Sequence, residues 1–148
     1  MTSHIALTFL SMHFELIIEE LGLMLVAFVL ALPCAFDREK ESRSAGLRTL
    51  PLVAIGACGF LLVGESFLED KGENARLMQG LIGGLGFLGG GAILKGNNGV
   101  VGMASAVTIW ITGAIGMAVA YRRFEIAVLL SLLNFLTLFI GTRVKKEI

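Results

Sequence analysis

No lysine, arginine, aspartate or glutamate occurs from Leu77 to Leu94, from Gly96 to Tyr121 or from Ile126 to Thr142. Between Leu50 and Leu68 only Glu65 interrupts the apolar run. Charged residues make up 16% of the chain, against about 25% in an ordinary soluble domain. A helix without polar residues on one side cannot sit at the surface of a water-soluble globule, so the scarcity excludes that class. Also missing is the alternation of polar and apolar residues, over about ten positions, that marks a transmembrane β-strand. The start of the chain has neither a basic n-region nor a small-residue cleavage site, and a cleaved signal peptide is not expected. Twelve basic side chains balance twelve acidic ones, which leaves no electrostatic footprint for nucleic acid. Catalysis lacks its usual marks, since no H-E-x-x-H, G-x-S-x-G or P-loop lysine is present. The two histidines, His4 and His13, have no convergent partners in the sequence, and enzymatic turnover is not expected. Cys34 and Cys58 lie in apolar runs and read as small buried hydrophobes.

What remains is hydrophobic residues, 55% of the chain, in runs near twenty residues long. That length crosses the roughly 30 Å hydrocarbon core as a helix. The sequence therefore predicts an all-α, polytopic transmembrane bundle of five helices, over about 14–36, 50–68, 77–94, 101–120 and 124–141. Residues 1–13 form an N-terminal arm, 14–142 the membrane domain, and 143–148 a short tail. Pro51 falls in the first turn of the second helix, where its missing N–H has no helical partner to lose. The lipid bilayer is the first partner implied. Lysine and arginine bias sets orientation: Arg38, Lys40, Arg43, Arg48, Lys95, Arg143, Lys145 and Lys146 fall on one side, against Lys71, Arg76, Arg122 and Arg123 on the other. This predicts an external N terminus and a cytoplasmic C terminus.

Ten glycines fall within residues 80–102. GLGFLG at 84–89 matches the dinucleotide pattern G-x-G-x-x-G, but that pattern needs a preceding strand and a ribose-binding acid about 20 residues on. Neither is present, and the match is fortuitous. Small residues four apart do lie on one helix face and let backbones approach closely inside a membrane. Gly80 and Gly84, Gly86 and Gly90, and Gly102 and Ala106 are such pairs, read as packing faces toward a neighbouring helix or a second copy. Three consecutive glycines, Gly89–Gly91, are also costly in a helix, and a break at this point is the other reading.

Polar candidates are few. Asp37, Arg38, Glu39, Arg48 and Thr49 cluster at the predicted cytoplasmic boundary. They read either as topology-setting flanking charge or as a site in which Asp37 and Glu39 offer hard oxygen ligands to Mg²⁺. No other cofactor is indicated. Glu65, Gln79 and Asn134 are the polar groups expected at membrane depth, more often for an interhelical hydrogen bond than for transport.

Three blocks, FDREKESRSAGLRTLPLVAIGACGF at 36–60, ARLMQGLIGGLGFLGGGAILK at 75–95 and VGMASAVTIWITGAIGMAVA at 101–120, resemble the membrane domain of the MgtC/SapB family. The family's acidic-Arg-Glu triplet falls on Asp37, Arg38 and Glu39, and its Ala-Gly-Leu-Arg-Thr element on Ala45 to Thr49. Its Arg and Gln at the start of the third helix fall on Arg76 and Gln79, which extends the candidate polar cluster to those residues. Its glycine signature covers Gly84, Gly86, Phe87, Leu88, Gly89 and Gly91. Two features differ. The arginine and one threonine usual before the fourth helix are replaced within Val101–Ala106, and the soluble C-terminal domain that many members carry is not part of these 148 residues. The resemblance implies a place in the inner membrane of a bacterium, a role in magnesium-linked homeostasis and adaptation to low magnesium, a link to virulence, and a transport or regulatory activity. An alternative it implies is a non-transporting protein that modulates a membrane-protein partner such as the proton-driven ATP synthase. Five helices cannot form two equal inverted halves, so a homodimer is also expected.

Overall fold

The first apolar run continues as helix beyond its apolar end, because neither glycine nor proline follows Pro33 before Lys40 and Ala35, Arg38, Glu39 and Lys40 there are good helix formers. In the computed structural model of the chain, residues 2–40, 45–68, 70–96 and 99–147 are described, with side chains at 14–40, 45–68, 70–95 and 99–144. Helix α1 (Thr2–Lys40) runs for 39 residues with Pro33 inside it, about 58 Å at 1.5 Å per residue. The Asp37-Arg38-Glu39 triplet is thus its last turn and not part of a connector. Arg43 of the expected charged connector lies outside the described residues, as do Asn97 and Asn98 of the GNNG segment.

Helix α2 (Leu50–Phe67) carries Pro51 in its first turn, as expected. Helix α3 (Lys71–Gly91) starts six residues before the apolar run, because the Asp70 side chain accepts a hydrogen bond from the Gly72 N–H at 3.0 Å and so supplies an N-cap. It is continuous through Gly89 and Gly90 and ends at Gly91. Leu94 leaves the expected third helix to form β1 (Leu94–Gly96), which pairs antiparallel with β2 (Gly99–Val101), Lys95 opposite Val100. Gly102 then turns the chain at φ 92°, a left-handed conformation suited to glycine. Helix α4 (Met103–Ala120) follows, and a turn with Arg122 at φ 55° leads into α5 (Phe124–Glu147).

Four of these helices contain stretches long and apolar enough to cross a membrane: Phe14–Lys40, Leu50–Phe67, Met103–Ala120 and Phe124–Val144. Helix α3 is not among them, since its glycines contribute little hydropathy and its first turns carry Lys71, Glu73 and Arg76. Large apolar side chains such as Leu52, Phe60, Phe87 and Leu133 point outward and are mostly exposed. That surface suits a hydrocarbon surround and would be a liability in water.

Helix α4 lies at the centre, and all of Ile115–Ala120 is buried. Its small residues set the spacing. A Cβ on Gly116 would run into the Ala54 carbonyl oxygen of α2 and reach Ala57 Cβ at 3.0 Å. Gly113 receives the Leu85 side chain of α3, and Gly89 of α3 would place a Cβ 3.1 Å from the Ala106 carbonyl oxygen. Backbone contact of this kind substitutes for the hydrophobic drive that lipid removes. The stretch around Gly102 and Ala106 therefore does pack on α3. By contrast, Gly80, Gly84, Gly86 and Gly90 meet no neighbour within 4 Å, because Leu85 and Gly89 define the buried side of α3 and those four lie around its remaining circumference. Their expected packing within the chain is not found. Gly116→Val should destabilise the bundle by about 1–3 kcal/mol through overpacking, whereas Gly80→Ala should be neutral or stabilising by up to about 1 kcal/mol; thermal unfolding in detergent reads both.

Candidate functional site

Asp37 and Arg38 are adjacent at the end of α1, where the helix meets the turn leading into α2. The Arg38 Nη2 donates to Asp37 Oδ2 at 3.2 Å, and the two side chains are only 6% and 13% exposed. A buried ion pair needs its remaining hydrogen bonds satisfied to offset desolvation, yet the Arg38 Nε–H is buried without a protein partner. Cys34 and Ala35, within one turn of the pair on α1, belong to a cluster with Leu50 of α2, Ile109 of α4 and Leu138 of α5, so the pair lies at the α1 end beside the meeting of these helices.

Glu39 points elsewhere. Two residues along a helix is about 200° of rotation, and the Glu39 Oε2 accepts a hydrogen bond from the Leu47 N–H at 3.0 Å. A side chain on Gly46 would collide with that carboxylate, so glycine is required where the turn closes. The Gly46 carbonyl accepts from the Thr49 and Leu50 N–H groups, both at 3.0 Å, and starts α2. Thus the Ala-Gly-Leu-Arg-Thr element is a turn held by Glu39. Arg48 is exposed and Thr49 half-buried. Asp37 and Glu39, weighed together as Mg²⁺ ligands, face different sides of α1, and no group of three or more metal-ligating side chains occurs among the described residues.

Arg76 and Gln79 do not join this cluster. Both are exposed on the first turns of α3, next to Leu77, which packs where Gly64 leaves room near the end of α2. That is nearly the whole of α2 away from Thr49, about 20 Å at 1.5 Å per residue. The polar residues that the sequence brought into one group are therefore divided between the two ends of the bundle.

Other groups occupy the interior. Ser105, Thr108 and Thr112 of α4 are buried, as are Ser131 and Asn134 of α5. Ser131 Oγ donates to the Leu30 carbonyl at 2.6 Å and Thr108 Oγ1 to the Ala104 carbonyl at 2.7 Å. Ser105 Oγ, Thr112 Oγ1 and Asn134 Nδ2 have no protein partner. Asn134 lies within the apolar stretch Phe124–Val144, but without the interhelical bond expected of it. Each of these serines and threonines is locally surrounded by apolar residues, and the sequence marks those of α4 only by their spacing at 105, 108 and 112, one helical face.

At the opposite end, Arg122 Nη2 donates to Glu19 Oε1 of α1 at 2.5 Å. Hydrogen bonding to Glu19, its charge and the Glu65 charge all raise the Arg122 pKa. Glu65 is exposed at the end of α2. Tyr121, the chain's single tyrosine, has its pKa raised, first by desolvation and then by Glu65.

Apolar helices of membrane length, outward-facing large hydrophobes and buried charge at a bundle end define a helical membrane protein. The chain belongs to the MgtC family, whose profile matches residues 24–147. It is similar to the protein slr0014 of Synechocystis, with 39% identity across 78% of this chain and 49% of that protein. Protein SrpB of Synechococcus elongatus is 33% identical across 78% of this chain and 70% of its own length. The Escherichia coli K12 protein named "Putative magnesium transporter YhiD" is 32% identical across 69% of this chain and 51% of its own. The chain thus spans about half the length of two of these three relatives. No solved structure gives a significant match.

Absorbance titration of the single tyrosine should give a pKa above the free value of about 10, and Glu65→Gln should lower it part of the way. The raised value means the neutral phenol is favoured in the folded state, so Tyr121 becomes destabilising as pH rises beyond the ordinary tyrosine range.

Proposed function

We propose that this chain is a multi-pass protein of a bacterial inner membrane that acts in magnesium-linked homeostasis, as a regulatory or transport component, with the Asp37–Arg38 pair as its working group. The observation that carries the reading is the pair itself: a guanidinium 5% exposed, held by one carboxylate and short of a partner at Nε. Ionisable groups buried in a membrane bundle are expensive to keep there and by default carry function. The relative named for magnesium transport sets the physiological direction. In this reading all five helices cross the bilayer, with the N terminus outside and the C terminus cytoplasmic. The 21 residues of α3, about 31 Å of helix, suffice for the crossing despite their glycine content. Mg²⁺ acts as cargo or signal and no resident cofactor is required. Asp37→Asn should insert normally and fail to restore growth of a deletion strain at low magnesium; full complementation by this variant would remove the pair from the function.

One observation favours a second reading, in which the protein works by binding a membrane partner or a second copy. The open side of α3 carries Gly80, Gly83, Gly84, Gly86, Gly90 and Gly91 with nothing within 4 Å, a surface on which another helix can lie closely. Gly84→Leu should then abolish an in-membrane crosslink to that partner, and purified protein in liposomes should carry no Mg²⁺. Reproducible Mg²⁺ flux that an Asp37→Asn variant lacks would favour transport.

A further inference from the structure

The two ends of the bundle treat their cations differently. One apolar cluster joins Ala35 of α1, Ala45 and Leu50 around the start of α2, Ala92 just past α3, and Leu138 of α5, and it marks the end that holds Arg38. Beyond it stand Lys40, Arg48, Lys95 and Arg143, each within about 10 Å along the chain of a cluster member. All four are exposed, and none is paired with a carboxylate among the described residues. The acids at this end are engaged elsewhere: Asp37 holds Arg38, and the Glu39 carboxylate is turned to the Leu47 N–H. At the opposite end Glu19 holds Arg122 and Glu125 holds Arg123. Lys71 and Arg76 there share the start of α3 with Asp70 and Glu73. Among the described side chains, positive charge is thus in excess at the Arg38 end and not at the other.

Depth identifies the anion that answers this charge. Lys40 closes the apolar stretch Phe14–Lys40, Arg143 stands at the end of Phe124–Val144, and Arg48 comes just before Leu50–Phe67. Lys95 is in the middle of β1, whose ribbon leads through β2 into Met103–Ala120. Two residues of strand rise about 7 Å, and the polar layer outside the hydrocarbon is about 5–8 Å deep on each side. Beside Lys95 the ribbon exposes Leu94, Val100 and Val101, side chains suited to lipid and a liability in water. All four cations therefore stand at the depth of lipid headgroups. The Arg143 guanidinium lies over the Phe139 ring, 4.4 Å from its centre. One face is covered in this way, and the edge N–H groups are left for a planar, bidentate match to phosphate.

We propose that Lys40, Arg48, Lys95 and Arg143 form a rim that binds the phosphates of net-anionic glycerophospholipids, so that this end of the protein selects its lipid. The proposal rests on the bundle crossing a bilayer, as proposed above, and needs no role for the Asp37–Arg38 pair. A basic residue near an anionic membrane surface gains roughly a fivefold preference for the charged lipid. Salt weakens that attraction by screening.

Trp110, the chain's single tryptophan, reads the outcome. It is 49% exposed and about 10 Å along α4 from Met103, well inside one leaflet's roughly 15 Å of hydrocarbon. In vesicles, phosphatidylcholine and phosphatidylglycerol brominated at mid-chain should both quench its fluorescence, and the anionic lipid should bind roughly fivefold more tightly. Lys95→Gln combined with Arg143→Gln should cut that preference about threefold or more. Lys71→Gln combined with Arg76→Gln, at the opposite end, should leave it unchanged. Sodium phosphate should weaken it no more than sodium chloride of equal ionic strength. Equal constants for the two lipids in the wild type, or a preference that survives the Lys95 and Arg143 changes, overturns the proposal. So does a specific effect of inorganic phosphate, which would make the rim a site for a soluble anion. Quenching without lipid preference would leave the membrane reading standing, whereas no quenching by either lipid would remove both.

Discussion

The contact on which the rest of the structure depends is the crossing of α2 and α4 at Gly116. With only hydrogen there, the α4 backbone lies against the Ala54 carbonyl, closer than any side chain would permit. Helix α4 then has room on its other sides for α1, α5 and α3, and all of Ile115–Ala120 is buried. In a bilayer, packing of this closeness replaces the hydrophobic force that organises soluble proteins. Residues that look featureless in the sequence, such as Gly113 beneath Leu85 and Gly89 against the Ala106 carbonyl, consequently govern the architecture.

The small-residue interior has a consequence for polarity. Ser105, Thr108 and Thr112 are small enough to share the α4 face that enters the core, and each brings a hydroxyl with it. Thr108 returns its proton to its own helix, but Ser105 and Thr112 do not. Together with Arg38 Nε and Asn134 Nδ2 they leave four buried side-chain polar atoms without protein partners among the described residues. Such atoms are rare in packed interiors and call for a ligand, water or movement to explain them. Arg38 and Ser105 lie at the bundle end where Glu39 fastens the turn into α2, whereas Thr112 and Asn134 lie midway along α4 and α5. The opposite end is tied by an exposed Glu19–Arg122 pair, which at the surface contributes little to stability.

Membrane residence and helix content were legible because they follow from composition: long runs without charge admit few other solutions. The positions of Asp37, Arg38, Glu39 and the Ala45–Thr49 element were legible through the family pattern, and the chain's membership of the MgtC family bears that resemblance out. Helix limits were less so. Asp70 began α3 six residues early by capping it, and Leu94 was drawn into a ribbon with Val101, a pairing between residues that local hydropathy does not connect. The grouping of Arg76 and Gln79 with Asp37 failed because a motif orders residues along the chain, while α2 separates them by most of its length.

The sequence alone determined the solvent, the helical class and the family, since each depends on residue type and short-range spacing. Only tertiary structure decided which glycines touch. Gly84 and Gly89 belong to one helix and one signature, yet one is open and the other presses on a carbonyl. The difference is a rotation about the α3 axis, set by Leu85 seating over Gly113. Likewise nothing local distinguishes Asn134 from a satisfied interhelical amide; only the packed bundle leaves its Nδ2 buried without a protein partner. Contacts between helices depend on azimuth and crossing, and those are properties of the assembled bundle.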